Sequence, residues 1–464
     1  MKSPLVKLTT IVLLLLLPGV SVQSQDVKLT LDDCIEIALK NRASIIAARG
    51  AEDLARANQR WAVGSFLPRI SASYYYSKTK TTEIEPDQVV PHVVDSFVNV
   101  AVVGADTARD LVYIPAFETV ESADQDRTTK SLELRATMDL FDLANFFNYA
   151  GARADRAKAH LDVIESEQNL IYSVKLSYYA YLASVQNIKV QDQAVKRSEE
   201  QLKLIQSKYE LGSAALSDVL KQKVQFGNDK LALLTAQNMV TSARSSLAYT
   251  IGLDPDLPAE FSGDYLMREY QGSLKDALDF AFTYEPSILA AQKDVDASKH
   301  ALRSRMSEYL PKLQGFGSLS WSDATRGDTL TFDFSSRDAT IGFQITMNIF
   351  DGFSRERDVT VAKVNRNNSR AALADTRNLV TRDVKTAYLE IEQYKDAKTV
   401  AGENVDAAEE DLKITQEKYN LGAATILDLL DAQVSWRQAQ VSLISADFDL
   451  NLAVAKLENA MGKM

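Results

Sequence analysis

Few side chains in this sequence have the types and spacing that catalysis or metal binding requires. The 464-residue chain contains three histidines, His92, His160 and His300, which are too scattered to suggest a metal site. Its single cysteine, Cys34, cannot form an intramolecular disulfide and lies within a helical pattern, so we expect a buried, unreactive thiol. Because no Ser-His-Asp order, glycine-rich phosphate loop or Cys-His cluster is visible, the sequence predicts neither an enzyme nor a bound cofactor.

The most notable carboxylates belong to a string that occurs twice. The sequence EKYNLGAATILDLLDAQ at residues 417–433 closely matches SKYELGSAALSDVLKQK at residues 207–223. The match continues without a gap to Gly252 and Gly462, at a constant spacing of 210 residues. Several residue types stay in register, at Tyr209 and Tyr419, Leu211 and Leu421, Gly212 and Gly422, and Asp218 and Asp428. This pattern indicates an internal duplication.

The duplication extends through most of the chain. Residues 29–49 align with residues 272–292 at a spacing of 243, whereas TMDLFD at 137–142 matches TMNIFD at 346–351 at a spacing of 209. The change in spacing means that the first copy carries about 34 additional residues. Each copy also opens with the pattern of a helix N-cap, Thr30 with Asp33 and Ser273 with Asp276.

Composition and charge exclude several classes of protein. With 46% hydrophobic and 25% charged residues, the chain is neither disordered nor a polytopic helical membrane protein. Residues 1–24 combine two lysines with a short apolar core and a small-residue cleavage site, so they predict a signal peptide and an exported chain. The net charge of −11, about −13 without that segment, argues against nucleic acid as a partner because phosphate contacts need clustered Lys and Arg.

Each copy contains two strand patterns. Apolar and polar residues alternate clearly along 131–141 and 339–350 and more weakly along 66–77 and 311–322. The apolar positions of the clearer strands are Leu132, Leu134, Ala136, Met138 and Leu140, and then Ile341, Phe343, Ile345, Met347 and Ile349. About ten residues suffice for a tilted strand to cross a bilayer, so four such strands favour a membrane barrel over the alternative, a soluble half-buried sheet.

The remainder of each copy has the pattern of long helices. Residues 144–209 and 353–419 contain no proline and few glycines, and about 65 residues of helix would form a rod of roughly 100 Å. Rods of this length are typical of coiled coils or related bundles. Gly212 and Gly422 are positioned to end the rods in a left-handed conformation and reverse the chain.

These patterns divide the chain into a first structural repeat at 25–252, a linker at 253–272 and a second structural repeat at 273–464. The remaining predicted helices are 29–65, 214–251, 273–308 and 424–461. Residues 78–130 lack a sustained period and predict a long loop with a small hairpin of its own.

Four strands cannot close into a barrel, because about eight is the smallest practical number and open edges are not tolerated in lipid. If the strands cross a membrane, the chain must therefore form oligomers. Two copies would supply eight strands and three copies twelve, and the residues themselves leave both possibilities open.

The ordered set of duplicated motifs resembles the TolC-type family of outer-membrane efflux proteins. The resemblance rests on the LTLDDCIEIALKN opening, FLPRISAS and YLPKLQG at the start of strands, LFD and IFDG at their ends, and the two KYxLG hairpins. It implies an α+β membrane protein that forms a homotrimer. In that trimer, twelve strands, four from each chain, would form a transmembrane β-barrel that is continued by a periplasmic α-helical barrel of long helices.

The resemblance also implies a function and partners. The chain would be a passive exit duct in the outer membrane of a Gram-negative bacterium, serving multidrug efflux or type I secretion. Its expected partners are outer-membrane lipid, a periplasmic adaptor (membrane fusion) protein and an inner-membrane pump of the RND or ABC type. A periplasmic coiled-coil scaffold without a pore is the alternative that the sequence leaves open.

By the same resemblance, four residues match a periplasmic gate. Asp428 and Asp431 match aspartates that ring the narrow end of the channel, and Tyr419 with Asp218 matches a hydrogen-bonded pair that holds the inner hairpin closed. The alternative is local, since aspartates suit a helix N-terminus and the tyrosines suit a hairpin tip. Where some members carry a basic residue near the tip, this chain has Ala424. The expected tip residues for adaptor docking are Leu211, Gly212, Leu421 and Gly422.

Overall fold

The computed structural model describes residues 28–81, 89–92, 116–119, 125–256, 260–261, 270–326 and 334–463. The expected signal peptide and most of the expected loop between the first two strands lie outside these ranges. In chain order the elements are β1 (Lys28–Leu29), α1 (Leu31–Asn41), α2 (Ala43–Gly64), β2 (Arg69–Thr81), β3 (Val89–His92), β4 (Ala116–Thr119), β5 (Gln125–Phe141), α3 (Leu143–Glu210), α4 (Leu216–Ile251), β6 (Glu260–Phe261), α5 (Leu274–Tyr284), α6 (Pro286–Ser307), β7 (Lys312–Arg326), β8 (Ser336–Thr346), α7 (Ser354–Asn420) and α8 (Ile426–Ala460).

The chain divides into two units. A helical unit comprises the described residues up to Gln59, Ala150–Leu302 and those from Val359 onward. A sheet unit comprises Arg60–Tyr149 and Arg303–Asp358. Each unit therefore takes segments from both copies of the duplication.

The sheet unit contains a four-stranded antiparallel sheet in the order β2-β5-β7-β8. Its register places Ala72 opposite Leu134 and Leu134 opposite Leu319, so the apolar positions of the strands share one face. On β8, Ile341 is 92% and Phe343 73% exposed. The apolar face is thus left uncovered by the described part of this chain.

The strands differ from their expected limits mainly at one end. Residues 78–81 and 125–130, expected in the loop, are strand, because the backbone pairing of β2 with β5 continues to Thr81 opposite Gln125. This extension carries no alternating apolar pattern, so hydrophobic periodicity does not reveal it. The strand expected at 311–322 likewise continues to Arg326, and β8 begins and ends earlier than expected. Within the expected loop, β3 and β4 pair as a small antiparallel hairpin.

The helical unit corrects the expectation of single helices at 29–65 and 273–308. Each is divided in two, at Arg42 and at Glu285, where the backbone is extended. Pro286 explains the second break, since a residue that precedes proline avoids the helical region and proline suits the first position of the next helix. At the first break, Arg42 instead donates from Nη1 to the carbonyl oxygen of Tyr249 at 3.1 Å.

The two copies of the duplication build equivalent apolar cores. Both predicted capping boxes, Thr30 with Asp33 and Ser273 with Asp276, are confirmed. Buried positions of the first core have counterparts in the second: Cys34 and Ala277, Ala38 and Ala281, Ile45 and Ile288, Val174 and Val384, and Leu247 and Leu457. Cys34 is fully buried as predicted, and burial raises the pKa of its thiol to about 12, so it remains neutral.

The expected linker contains a structural element of its own. Strand β6 lies within residues 253–272 and pairs in parallel with β1, joining Leu29 to Phe261. The side chain of Phe261 is buried in the core of the first copy. Among the described residues, none of the helices contains an apolar stretch long enough to cross a membrane.

The two helix breaks carry opposite charges at equivalent places. In the first copy, the Arg42 guanidinium donates a hydrogen bond to a carbonyl oxygen near the end of α4. Its positive charge suits the negative end of the helix dipole. In the second copy, the Glu285 side chain lies against Gly462, just beyond α8, where an added Cβ would approach Glu285 Oε2 to 2.8 Å. Burial raises the pKa of Glu285 to about 7. The hydrogen bonds from Ser287 oppose this increase, and the charge of Glu165 adds to it.

We predict that Glu285→Gln stabilises the protein at alkaline pH more than at acidic pH. A raised folded-state pKa contributes stability that is present below the ordinary value of 4.5 and is lost as pH rises through about 7. Glutamine does not ionise, so the variant does not lose stability in this way as pH rises. Its melting temperature should therefore exceed that of the wild type by a few degrees at pH 8 and by less at pH 5. Differential scanning fluorimetry at both pH values provides the measurement.

The control is Asp279→Asn, which removes an exposed carboxylate from α5. We expect it to shift the melting temperature equally at the two pH values. A Glu285→Gln profile parallel to that of the wild type would contradict the proposed protonation of Glu285.

Candidate functional site

The candidate site lies at the ends of two helical hairpins in the helical unit. The first hairpin is α3 with α4, and the second hairpin is α7 with α8. Gly212 and Gly422 adopt left-handed backbone conformations, with φ of 76° and 77°. In each turn the glycine N–H donates three residues back and the next N–H donates five residues back, which closes the helix with a Schellman motif.

A leucine is exposed at each hairpin tip. Leu211 is 85% and Leu421 84% exposed, immediately before the glycines that reverse the chain. Moving an apolar side chain out of water lowers the free energy, so two such leucines at the hairpin tips are suited to contact another protein.

The hairpins pack against each other through a small apolar cluster near their ends. It contains Ile205 from α3, Val219 from α4, and Ile426 and Leu429 from α8. Tyr419, at the end of α7, packs against this cluster, whereas its counterpart Tyr209 is 44% exposed. The duplicated tyrosines therefore occupy different environments.

The structure brings Tyr419 and Asp218 close together. Burial raises the pKa of the Tyr419 hydroxyl, and the charge of Asp218 raises it further. Lys208 Nζ lies 4.8 Å from the centre of the Tyr419 ring. Within the described residues, no hydrogen bond joins the Tyr419 hydroxyl to Asp218, so the two groups meet through packing and charge.

Asp428 has a local partner in the structure. Its carboxylate accepts hydrogen bonds from Thr425 N at 2.8 Å and from Thr425 Oγ1 at 2.7 Å, forming a capping box at the start of α8. These bonds lower the pKa of Asp428. At the equivalent place in the first hairpin, Ala215 has no hydroxyl, so the carboxylate of Asp218 is not held in such a box.

Asp431 follows Asp428 by three residues on α8 and is exposed. Residues three apart on a helix lie on neighbouring parts of one face, so the second hairpin presents two carboxylates near its tip. The counterpart of Asp431 in the first hairpin is Lys221. This acidic face is therefore specific to the second hairpin. Across the described residues, no cluster of His, Cys, Asp and Glu is arranged to hold a metal ion.

Comparison with known families identifies the chain. A family model described as outer membrane efflux protein matches residues 34–253 and 280–463, which together make up most of the sequence. The chain belongs to this family. The protein is therefore located in the outer membrane and functions as an outer-membrane efflux channel.

Curated relatives agree with this assignment. The outer membrane efflux protein BepC of Brucella suis is 21% identical over 436 residues, which cover 94% of this chain and 86% of the relative. The outer membrane protein TolC of Escherichia coli is 22% identical over 366 residues, which cover 76% of this chain and 73% of the relative. The family is one of channel proteins that are not known as enzymes, and it does not support the alternative of a scaffold without a pore.

Solved structures share the fold. The CmeC outer membrane channel of Campylobacter jejuni has a TM-score of 0.76 at 16% identity, covering 93% of this chain and 85% of that chain. The outer membrane protein VceC of Vibrio cholerae has a TM-score of 0.74 at 18% identity, covering 93% of this chain and 96% of that chain. The fold is thus that of the TolC-like channels.

A polar contact between the hairpins was not predicted from the sequence. Arg437 on α8 forms an ion pair with Asp229 on α4. The available signal is a departure from the duplication, since Arg437 aligns with Gly227 and Asp229 with Ala439. Only the structure shows that Arg437 and Asp229 are in contact.

We predict that Thr425→Ala weakens the start of α8 in a pH-dependent manner. A lowered folded-state pKa contributes stability that is present above the ordinary value of 3.8 and is lost as pH falls through the folded-state value. The melting temperature of the variant should therefore lie below that of the wild type at neutral pH. The gap should narrow as pH falls below 3.8, as measured by differential scanning fluorimetry.

The control is Thr381→Ala, which removes a hydroxyl that donates to the Arg377 carbonyl within α7. Its effect should not depend on pH, because no carboxylate is involved. Equal pH profiles for Thr425→Ala and Thr381→Ala would show that the capping box does not influence Asp428.

Proposed function

We propose that three copies of this chain form the outer-membrane channel. Four strands from each copy would close a twelve-stranded transmembrane β-barrel, and the long helices would form a helical barrel in the periplasm. The observation that carries this proposal is a sheet with an exposed apolar face and two open edges in a member of an outer-membrane efflux family.

The sheet edges support closure by neighbouring copies. Strands β2 and β8 form the edges, and within the described residues neither is paired on its outer side. Unpaired backbone groups cannot remain in hydrocarbon, so each edge requires a strand from another chain. Two or three copies would satisfy this requirement, and the resemblance to TolC-type channels favours three.

An exposed apolar stripe on α4 supports contact between copies in the helical part. Its members recur at helical spacing along one face: Leu216, Leu220, Val224, Leu231 and Leu234. Each is more than half exposed in the single chain. A stripe of this length on a water-exposed helix requires a partner, and a second copy of the chain supplies a helix of matching length.

The assembled channel would act as a passive exit duct for small toxic compounds or secreted polypeptides. Energy and cargo would come from an inner-membrane pump of the RND or ABC type through a periplasmic adaptor protein. Leu211 and Leu421, held outward by Gly212 and Gly422, are the proposed contacts for that adaptor.

The second hairpin would carry the periplasmic gate. Asp428 and Asp431 would place six carboxylates around one constriction in a trimer, which would attract cations and repel anions. Because Asp428 also caps α8, Asp431 is the carboxylate with no capping role in the structure. Tyr419 and Asp218 would hold the second hairpin against the first through the apolar cluster and the charge of Asp218.

Assembly and export are tested together in a strain that lacks its own exit duct. We predict that the wild-type chain forms outer-membrane trimers and restores drug resistance, whereas Phe343→Arg abolishes both because a charged side chain on the lipid face is costly. Trimers are measured by the mass of the detergent-purified complex and resistance by growth inhibition.

The matched control is Gln344→Arg, which introduces the same charge on the opposite face of β8. It should assemble and restore resistance. Unchanged drug sensitivity with wild-type protein, together with an absence of trimers, would overturn the proposed function.

The gate is tested in planar bilayers. We predict that Asp428→Asn with Asp431→Asn lowers the cation preference and raises the half-blocking concentration of a trivalent cation by about tenfold. Asparagine at position 428 keeps an oxygen acceptor for the cap, so the helix start is retained. Asp254→Ala with Asp256→Ala removes the same charge beyond the other end of α4 and should leave the block unchanged. Unaltered block in the gate variant would remove the two aspartates from the pore.

A further inference from the structure

The contact between Arg437 and Asp229 lies away from the hairpin tips. Arg437 is eleven residues beyond the start of α8, roughly 16 Å along the helix. It donates from Nη1 to Asp229 Oδ1, and Gln225 Nε2 donates to the same oxygen at 2.8 Å. Asp229 is only 3% exposed. We call Asp229, Gln225 and Arg437 the α4–α8 latch.

The neighbouring residue on α8 contacts the other helix of the first hairpin. The guanidinium carbon of Arg197, on α3, lies 3.7 Å from the ring centre of Trp436. Trp436 is 8% exposed, so this stacking is also largely removed from water. Two consecutive residues of α8 therefore hold it to α4 and to α3.

Because the carboxylate of Asp229 is buried and the side chain of Arg437 is only 24% exposed, this ion pair is largely removed from water and is suited to selecting one arrangement of two helices. Its attraction is largely offset by the desolvation of both charges, so it adds little net stability. Separation of the charges, in contrast, leaves a buried carboxylate without its partner, which is strongly unfavourable. The α4–α8 latch therefore favours the observed arrangement of the hairpins over any arrangement that moves α8 away from α4.

The latch does not belong to the duplicated design. Arg437 aligns with Gly227 and Asp229 with Ala439, although the flanking hairpin sequences match. Helix packing within each hairpin therefore does not require either charge. Each of the two charges is present in one copy only, and the two meet at the contact between the hairpins.

We propose that Arg437 and Asp229 are positioning residues that hold the second hairpin against the first in the closed channel. This inference rests on the proposed gate at the hairpin ends. At the tip itself, Ala424 supplies no basic side chain. The proposal therefore places the closing contact of this chain behind the tip, at the ion pair of Asp229 and Arg437. Gln225 orients the Asp229 carboxylate, and Arg197 on Trp436 holds the adjacent turn of α8.

The test compares single-channel conductance of purified wild-type and variant channels in planar bilayers. Asp229→Asn and Arg437→Gln should each raise the conductance several-fold, because either change removes one charge of the ion pair. The double variant should show the same conductance as the single variants, since both changes remove one interaction. The matched control, Glu390→Gln, breaks the ion pair that Lys456 forms within the second hairpin and should leave the conductance unchanged.

Melting temperatures of the same preparations distinguish channel opening from misfolding. If a single variant does not assemble, Asp229→Leu with Arg437→Met removes both charges while retaining apolar packing, and it should also raise the conductance. Wild-type conductance in any assembled variant of the pair, or increases that multiply in the double variant, would overturn the latch. An absence of channels with wild-type protein would instead overturn the proposed function.

Discussion

Backbone N–H and C=O groups have no hydrogen-bond partners in hydrocarbon, and this constraint governs the rest of the structure. The sheet has an apolar face, from Ile70 on β2 to Phe343 on β8, and it ends in two edge strands. Such a sheet can reside in the outer membrane only if its edges are paired. Closure by neighbouring copies, as proposed, would meet this requirement, and the chain belongs to a family of outer-membrane efflux proteins.

Duplication explains why the two halves can share one sheet and one helical unit. Equivalent core positions, such as Ile45 and Ile288, are filled by equivalent apolar side chains in both copies. The differences between the copies include polar positions at the ends and interfaces of helices. Glu285 replaces Arg42 at a helix break, Thr425 replaces Ala215 at a helix start, and a lysine is replaced by Asp431.

These differences give the hairpins distinct side-chain contacts. The second hairpin has the capped helix start, the acidic face and the tyrosine that packs against its neighbour. The first hairpin supplies Asp218 and Asp229, whose charges act on residues of the second. Under the proposed gate, the first hairpin would be the support and the second the element that is held.

Local patterns in the sequence determined the element types, the apolar face of the sheet, the capping boxes and the hairpin turns. Alternation along β5 and the glycines at 212 and 422 act through neighbouring residues, so they can be recognised without a fold. The strand extension to Thr81 was not recognisable, because it depends on pairing with Gln125 rather than on side-chain periodicity.

Only the tertiary structure decided which side chains meet at the candidate site. Asp428 appears in the sequence as one of several aspartates near a helix start, and its bonds to Thr425 follow from local geometry. The pairing of Asp229 with Arg437 joins residues 208 positions apart on different helices. Such a contact depends on the rotation and register of two packed helices, and the sequence pattern of either helix alone leaves both undetermined.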